Sequence, residues 1–281
     1  MTQKLAVLVI HGLGRQKNNF ADPFIRLLLK HYAKASGERV PDKHLAIKPV
    51  YWAEVLEERE EELKRRQFQP SAMRYEWLRH YVIHYLGDAV AYQPLETNNQ
   101  IYLDIHEKLS KALHELTTEA GENAPLCVIS HSMGTVIASN YFYDLQNSVN
   151  WKPVLYNPDS ALERGETLSL FYSCGTTLPL WSLRYRNFDK PIHVPADQMR
   201  IIALGIRGEW INFYDKDDIL GYPLRSIHEA YEEAVQEDIK VRVGDWKTSW
   251  NPLCHNGYFA SSKVVSRMAS GLATTWRELN L

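Results

Sequence analysis

The sequence predicts an α/β fold, a mostly parallel sheet with flanking helices, and three observations carry this. Short apolar runs alternate with longer amphipathic ones, the pattern of strand and helix units laid down in turn. Leu5-Ala-Val-Leu-Val-Ile10 is apolar without interruption, as a strand buried on both faces must be. The chain has 281 residues, 45% hydrophobic and 23% charged, which is ample for a large core.

Composition also excludes some functions. The formal net charge is -2, so no basic field exists to recruit nucleic acid or an anionic membrane. The run Leu5–Ile10 is far too short to span a bilayer, so no transmembrane segment is expected. Cys127, Cys174 and Cys254 are widely spaced, which suggests neither a zinc site nor a disulfide framework. A reduced, cytoplasmic setting is the simplest expectation.

The elements follow in order. After Leu5–Ile10 comes a glycine-bearing loop, His11-Gly-Leu-Gly14. Asp22-Pro23 suits a helix start, with Asp as N-cap and Pro at the first helical position, and Gly37 suits its end. Leu45 to Tyr51 reads as a second strand. Residues 53–93 have a different character and read as a helical insertion within a single domain spanning 1–281. Its first part, Glu54 to Arg66, places acids before bases, which complements the helix dipole. Its second part, Ser71 to Leu86, is rich in aromatic residues. Thr97-Asn-Asn-Gln100 has the spacing of a capping box. Ile101, Ile105, Leu109, Leu113 and Leu116 then form one apolar helix face, with Asp104, His106 and His114 expected in solvent. Pro125–Ile129, Thr167–Tyr172, Trp210–Tyr214 and Asp238–Val243 read as further strands. Gly134–Leu145 and Ser262–Leu279 read as helices.

Four stretches carry chemistry. In Leu126-Cys-Val-Ile-Ser-His-Ser-Met-Gly-Thr135 an apolar strand runs into a turn and then a helix. Such a strand–turn–helix lifts the hydroxyl of Ser132 clear of the backbone and aims it at a base. The turn is so tight that the residues two before and two after must be small. Here they are Ser130, where glycine is the common choice, and Gly134. The loop His11-Gly12-Leu13-Gly14 suits a pair of backbone N–H groups that stabilise a developing oxyanion, worth about 3 kcal/mol for each donor. The expected donors are the amides of Leu13 and Met133, and His11 itself is expected to pack and hydrogen-bond. Trp210 to Pro223 reads as a strand ending in an acidic loop, where Asp215, Asp217 and Asp218 all qualify as the acid that orients a histidine. Trp250 to Tyr258 is a turn-rich loop late in the chain, and its His255 completes the order Ser, Asp, His.

Together these stretches resemble the α/β-hydrolase superfamily over roughly residues 4–280, most closely the lipase and esterase branch with its PGAP1-like members. Asp218-Ile-Leu-Gly221 is similar to the stretch after this strand in many hydrolases, which ranks Asp218 first, Asp217 second and Asp215 third. The resemblance implies a Ser132, His255, Asp218 triad acting on a carboxylic ester, a lipid or acyl ester included, through an acyl-enzyme. It names no substrate, because this fold hosts many. A thioesterase, amidase or acyltransferase would use the same residues, and a non-catalytic binding protein would keep only the fold. No cofactor or metal is required, with His80 and His84 assigned to the aromatic helix. The expected partner is a small-molecule ester or lipid, with transient contact to a membrane surface left open and oligomeric state unassigned. Trp77, Tyr81 and Tyr85 share one face at helical spacing, so the insertion is expected to form a cap over Ser132.

Overall fold

The computed structural model describes residues 2–12, 19–68, 74, 75, 79, 83, 87–93, 99–147, 152–199 and 206–280. Six strands form one sheet: β1 Leu5–Ile10, β2 Leu45–Val50, β3 Leu126–His131, β4 Leu168–Cys174, β5 Glu209–Asp215 and β6 Glu237–Val241. All neighbouring pairs are parallel, in the order β2-β1-β3-β4-β5-β6. The helices are α1 Asp22–Ser36, α2 Glu54–Phe68, α3 Asp88–Ala91, α4 Gln100–Ala120, α5 Met133–Gln146, α6 Leu178–Ser182, α7 Glu229–Ala234 and α8 Ser262–Asn280.

The uninterrupted apolar strand explains the layering. Leu5, Val7 and Val9 of β1 point to one face and pack with Phe24, Leu28 and Tyr32 of α1 and Val265, Met268 and Leu272 of α8. Ala6, Leu8 and Ile10 point to the other face, against Ile105, Leu109 and Leu113 of α4 and Val136 and Ile137 of α5. A strand covered on both faces has no room for polar alternation. β1 lies between β2 and β3, so the chain leaves it in opposite directions on the two sides. A crevice therefore opens beyond the C-terminal ends of β1 and β3, where open α/β sheets place their ligands. His11 and Gly12 follow β1 directly, and Ser132 follows β3.

Local signals differ from the expectation at three places. Asp22 is the first helical residue rather than the cap, which is Ala21, and Gly37 ends α1 in the left-handed conformation. Gln100 does not complete a capping box, because α4 begins at Gln100 itself. Its side chain donates to Asp104 Oδ1 at 2.6 Å, and Thr97 lies outside the described residues. His106 is not in solvent. It lies one turn after Tyr102 and one turn before Leu109, on the inner face of α4, and it is fully buried. Its Nε2 sits 2.8 Å from the Tyr92 hydroxyl, and its ring lies 3.9 Å from that of Tyr102. Periodicity marks apolar positions only, and a histidine with a buried hydroxyl partner joins them unseen. His114, by contrast, is half-exposed and bonds Glu163 at 2.8 Å.

The ends of the 53–93 segment are fastened to this core. Trp52, Ala53 and Leu56 are buried at its start, Asp88 and Tyr92 at its end. Trp52 Nε1 donates to the His11 carbonyl at 2.9 Å, and Lys108 of α4 reaches Glu54 of α2 at 2.8 Å.

Burial pushes the His106 pKa down to about 3, so the folded protein holds it neutral. In the unfolded chain it protonates near pH 6.5, so its contribution to stability is whole above that pH and is lost as pH falls. Asp144, 3.6 Å away, acts with the opposite sign, because burial raises its pKa to about 6. Its contribution is whole on the acid side and is lost as pH rises. His106→Gln keeps a partner for Tyr92 but removes the titration. Urea unfolding of the variant should show a slope of stability against pH that is less positive by up to about 1.4 kcal/mol per unit between about pH 6 and pH 4. Parallel slopes for wild type and variant would rule the account out.

Candidate active site

The site begins with a strained residue. Ser132 has φ 54° and ψ -128°, and it is fully buried. A non-glycine residue in such a region costs of order 1–3 kcal/mol, so its surroundings must impose it. Here β3 is paired on both sides, to β1 and to β4, as far as Ser130, and His131 is still paired with Cys174 of β4. Helix α5 then starts at Met133, and the Ser132 amide is tied to the Cys174 carbonyl at 2.9 Å. A Cβ at Gly134 would collide with the His11 carbonyl oxygen, so only glycine lets α5 pass this close to the end of β1. Ser130 is accepted because its hydroxyl has partners, Thr135 Oγ1 at 3.0 Å and the Tyr172 carbonyl at 3.3 Å.

The Ser132 hydroxyl lies 2.8 Å from His255 Nε2. On its other side, His255 Nδ1 lies 2.9 Å from each carboxylate oxygen of Asp218. Asp218 has two more donors, the Leu220 amide on Oδ1 at 2.9 Å and the Tyr258 hydroxyl on Oδ2 at 2.8 Å. Burial works to raise the Asp218 pKa, but the His255 bond and charge and the other two donors outweigh it, and the carboxyl is held below its usual range. An ionised Asp218 only accepts, so His255 Nδ1 carries the proton and Nε2 is left to accept from Ser132.

The other acids of the loop do different things. Asp215 is buried at the end of β5 and accepts from the Val243 amide at 2.7 Å and the Asp217 amide at 3.1 Å, which joins β5 to the chain beyond β6. Asp217 is partly exposed. His11 packs face to face with Trp52 at 5.0 Å, and burial brings its pKa down to about 4. Of the two expected oxyanion donors, Met133 is the first residue of α5, whose leading N–H groups have no partner within the helix. Leu13 lies outside the described residues, as do Trp77, Tyr81 and Tyr85. Among the described residues, no group of three or more His, Cys, Asp or Glu side chains is placed to hold a metal.

Sequence reasoning passed over Tyr258. It lies three residues after His255 in the 3-10 segment Pro252–Ala260, where side chains three apart stack above one another. It also accepts from the Asp215 amide at 2.9 Å, so one hydroxyl joins two acids of the same loop. That i, i+3 spacing was the available signal, but only a 3-10 conformation makes it meaningful.

No protein-family model and no curated protein matches the chain. Among solved structures it is similar to an esterase from Pyrobaculum calidifontis at 11% identity, covering 97% of this chain and 77% of that one, with a TM-score of 0.43. It is similar to the esterase domain of a Rhodothermus marinus protein at 10% identity, covering 99% and 88%, with a TM-score of 0.37. It is also similar to a structure from work on LipS and LipT, two metagenome-derived lipolytic enzymes, at 10% identity, covering 86% and 85%, with a TM-score of 0.37. At these scores the fold is read from the strand order and the elbow. The chain has an α/β-hydrolase fold.

The two small positions of the elbow should respond differently. Ser130→Gly removes a satisfied hydroxyl and should cost about 1 kcal/mol in thermal unfolding. Gly134→Ala should cost about 1–3 kcal/mol through overpacking against His11. An alanine variant that melts like wild type would show that the close approach is not needed.

Proposed function

We propose that the protein is a serine hydrolase that cleaves a carboxylic ester, with a lipid or acyl ester as substrate class. The observation that carries this is the hydrogen-bonded chain Ser132–His255–Asp218, with Ser132 held in a strained elbow and Asp218 kept ionised. In this reading Ser132 Oγ attacks the ester carbonyl as His255 Nε2 takes its proton. The amide of Met133, with that of Leu13, holds the oxygen that becomes negative. His255 then delivers the proton to the leaving alcohol, and a water molecule repeats the sequence on the acyl-enzyme. Asp218 orients the ring and stabilises the imidazolium without itself taking the proton. No step needs a cofactor.

We also assign residues 53–93 as a cap. The segment departs from the core directly beside His11, at the mouth of the crevice. Most of α2 is exposed, which suits an outer layer. Trp77, Tyr81 and Tyr85 are assigned to the inner surface, lining an acyl pocket and excluding water. Cys127, Cys174 and Cys254 are free and buried, in keeping with a reducing, cytoplasmic compartment. Among the described residues no helix is long and apolar enough to cross a membrane.

A fluorophosphonate should label the native protein, and Ser132→Ala should abolish the labelling while leaving the fold intact. Asp218→Asn should lower kcat by about 10⁴-fold, because the wrong ring nitrogen of His255 then carries the proton. Labelling at another serine would overturn the assignment of Ser132, and none at all in wild type would defeat the proposal and leave a non-catalytic protein. A series of p-nitrophenyl esters of rising acyl length tests the cap. Trp77→Ala should raise KM more for long acyl chains than for acetate, whereas equal effects on both would give Trp77 a fastening role only.

A further inference from the structure

We propose that His131 is a positioning residue for the base, so that two consecutive residues, His131 and Ser132, grip His255 at two points. This rests on the hydrolase reading given above. Ser132 Oγ meets the His255 ring at Nε2, 2.8 Å away. His131 Nε2 meets the His255 backbone, 2.7 Å from its carbonyl oxygen. A carbonyl oxygen only accepts, so His131 Nε2 carries the proton and Nδ1 holds the lone pair. His131 is the last residue of β3, paired with Cys174 of β4, and the residue before it, Ser130, is paired on both sides, with Ile10 and Ser173. The base loop therefore hangs from the end of a central strand, one residue from the nucleophile.

The surroundings of His131 support the role. Its ring lies 4.8 Å from the His255 ring, 5.7 Å from Tyr258 and 5.6 Å from Phe259, all on the same 3-10 segment. On the opposite side is the oxyanion loop, where a Cβ at Gly12 would lie 2.7 Å from His131 Nδ1 and 2.7 Å from Ser132 Cβ. The imidazole thus fills the space between the loop that would hold the oxyanion and the loop that carries the base. The titratable groups facing it are His255, Asp218, His11 and Tyr258. Burial, with the His255 charge, brings the His131 pKa down to about 3. A neutral ring there leaves the imidazolium of His255 unopposed when it forms. A cation in the same place would repel it.

The chemistry predicts which substitutions succeed. Gln places an amide N–H where His131 Nε2 stands, whereas Phe fills the same volume without a donor. With p-nitrophenyl acetate, His131→Phe should lose about tenfold to a hundredfold in kcat, the order expected for a misplaced base. Its KM should stay near wild type, because no ground-state contact to substrate is removed. His131→Gln should recover most of the loss. Equal kcat for wild type and His131→Phe overturns the proposal. So does a glutamine variant as slow as the phenylalanine one while both melt like wild type, and so does a loss confined to KM. Histidine ring ¹⁵N spectra of the wild-type protein decide the matter if His131→Phe does not fold or if wild type turns over no ester. His131 should remain a neutral Nε2–H tautomer from about pH 5 to 8, and an Nδ1–H tautomer or a titration in that range overturns the anchor. Absence of turnover with the expected tautomer would count against the hydrolase reading alone.

Discussion

The elbow at Ser132 is the constraint on which the rest of the site depends. A serine does not adopt φ 54° by preference, and nothing in its own side chain offsets the cost. The surroundings impose it. β3 is held on both sides by parallel neighbours, and α5 must start at once to bury Val136 and Ile137 against the sheet. The chain has one residue in which to turn from strand to helix, and Gly134 gives it the clearance against the His11 carbonyl. Sheet burial, worth about 25 cal/mol for each Å² of apolar surface, is more than sufficient to maintain such strain.

From that point the geometry spreads outward through hydrogen bonds. His255 is reached by Ser132 at its ring and by His131 at its backbone. Asp218 is fixed by three donors of different origin, the His255 ring, the Leu220 amide and the Tyr258 hydroxyl. Two of these, His255 and Tyr258, come from one short 3-10 segment. The loop after β5 and the loop after β6 are thus tied to each other, and the second of them is tied to Ser132. A buried carboxylate with so many donors stays charged in spite of burial, and its charge keeps His255 in the tautomer that accepts from Ser132.

The topology places these parts. β1 ends beside β3 at the point where the strand order reverses, so His11-Gly12 and Ser132 meet at one crevice. Trp52 is bonded to the His11 carbonyl beside that crevice, and Tyr92 is bonded to His106.

The sequence by itself determined the strands, the elbow and two of the residues that meet there, Ser132 and His255. Continuous apolar runs such as Leu5–Ile10 mark doubly covered strands, and small residues flanking Ser132 mark a tight turn, because both are local requirements that few side chains satisfy. Asp218 was separable from Asp215 and Asp217 only by resemblance. The three differ by a few residues in one loop, and which of them faces His255 is settled by where two distant loops meet. Tertiary structure alone decided the burial of His106, the grip of His131 on the His255 backbone and the Tyr258 bond to Asp218. Each joins residues far apart in the chain or on different elements, and a buried polar residue with a partner leaves no periodic trace. The capping box at Thr97 failed for the related reason that a cap depends on where the helix begins, and packing of the apolar face of α4 sets that point.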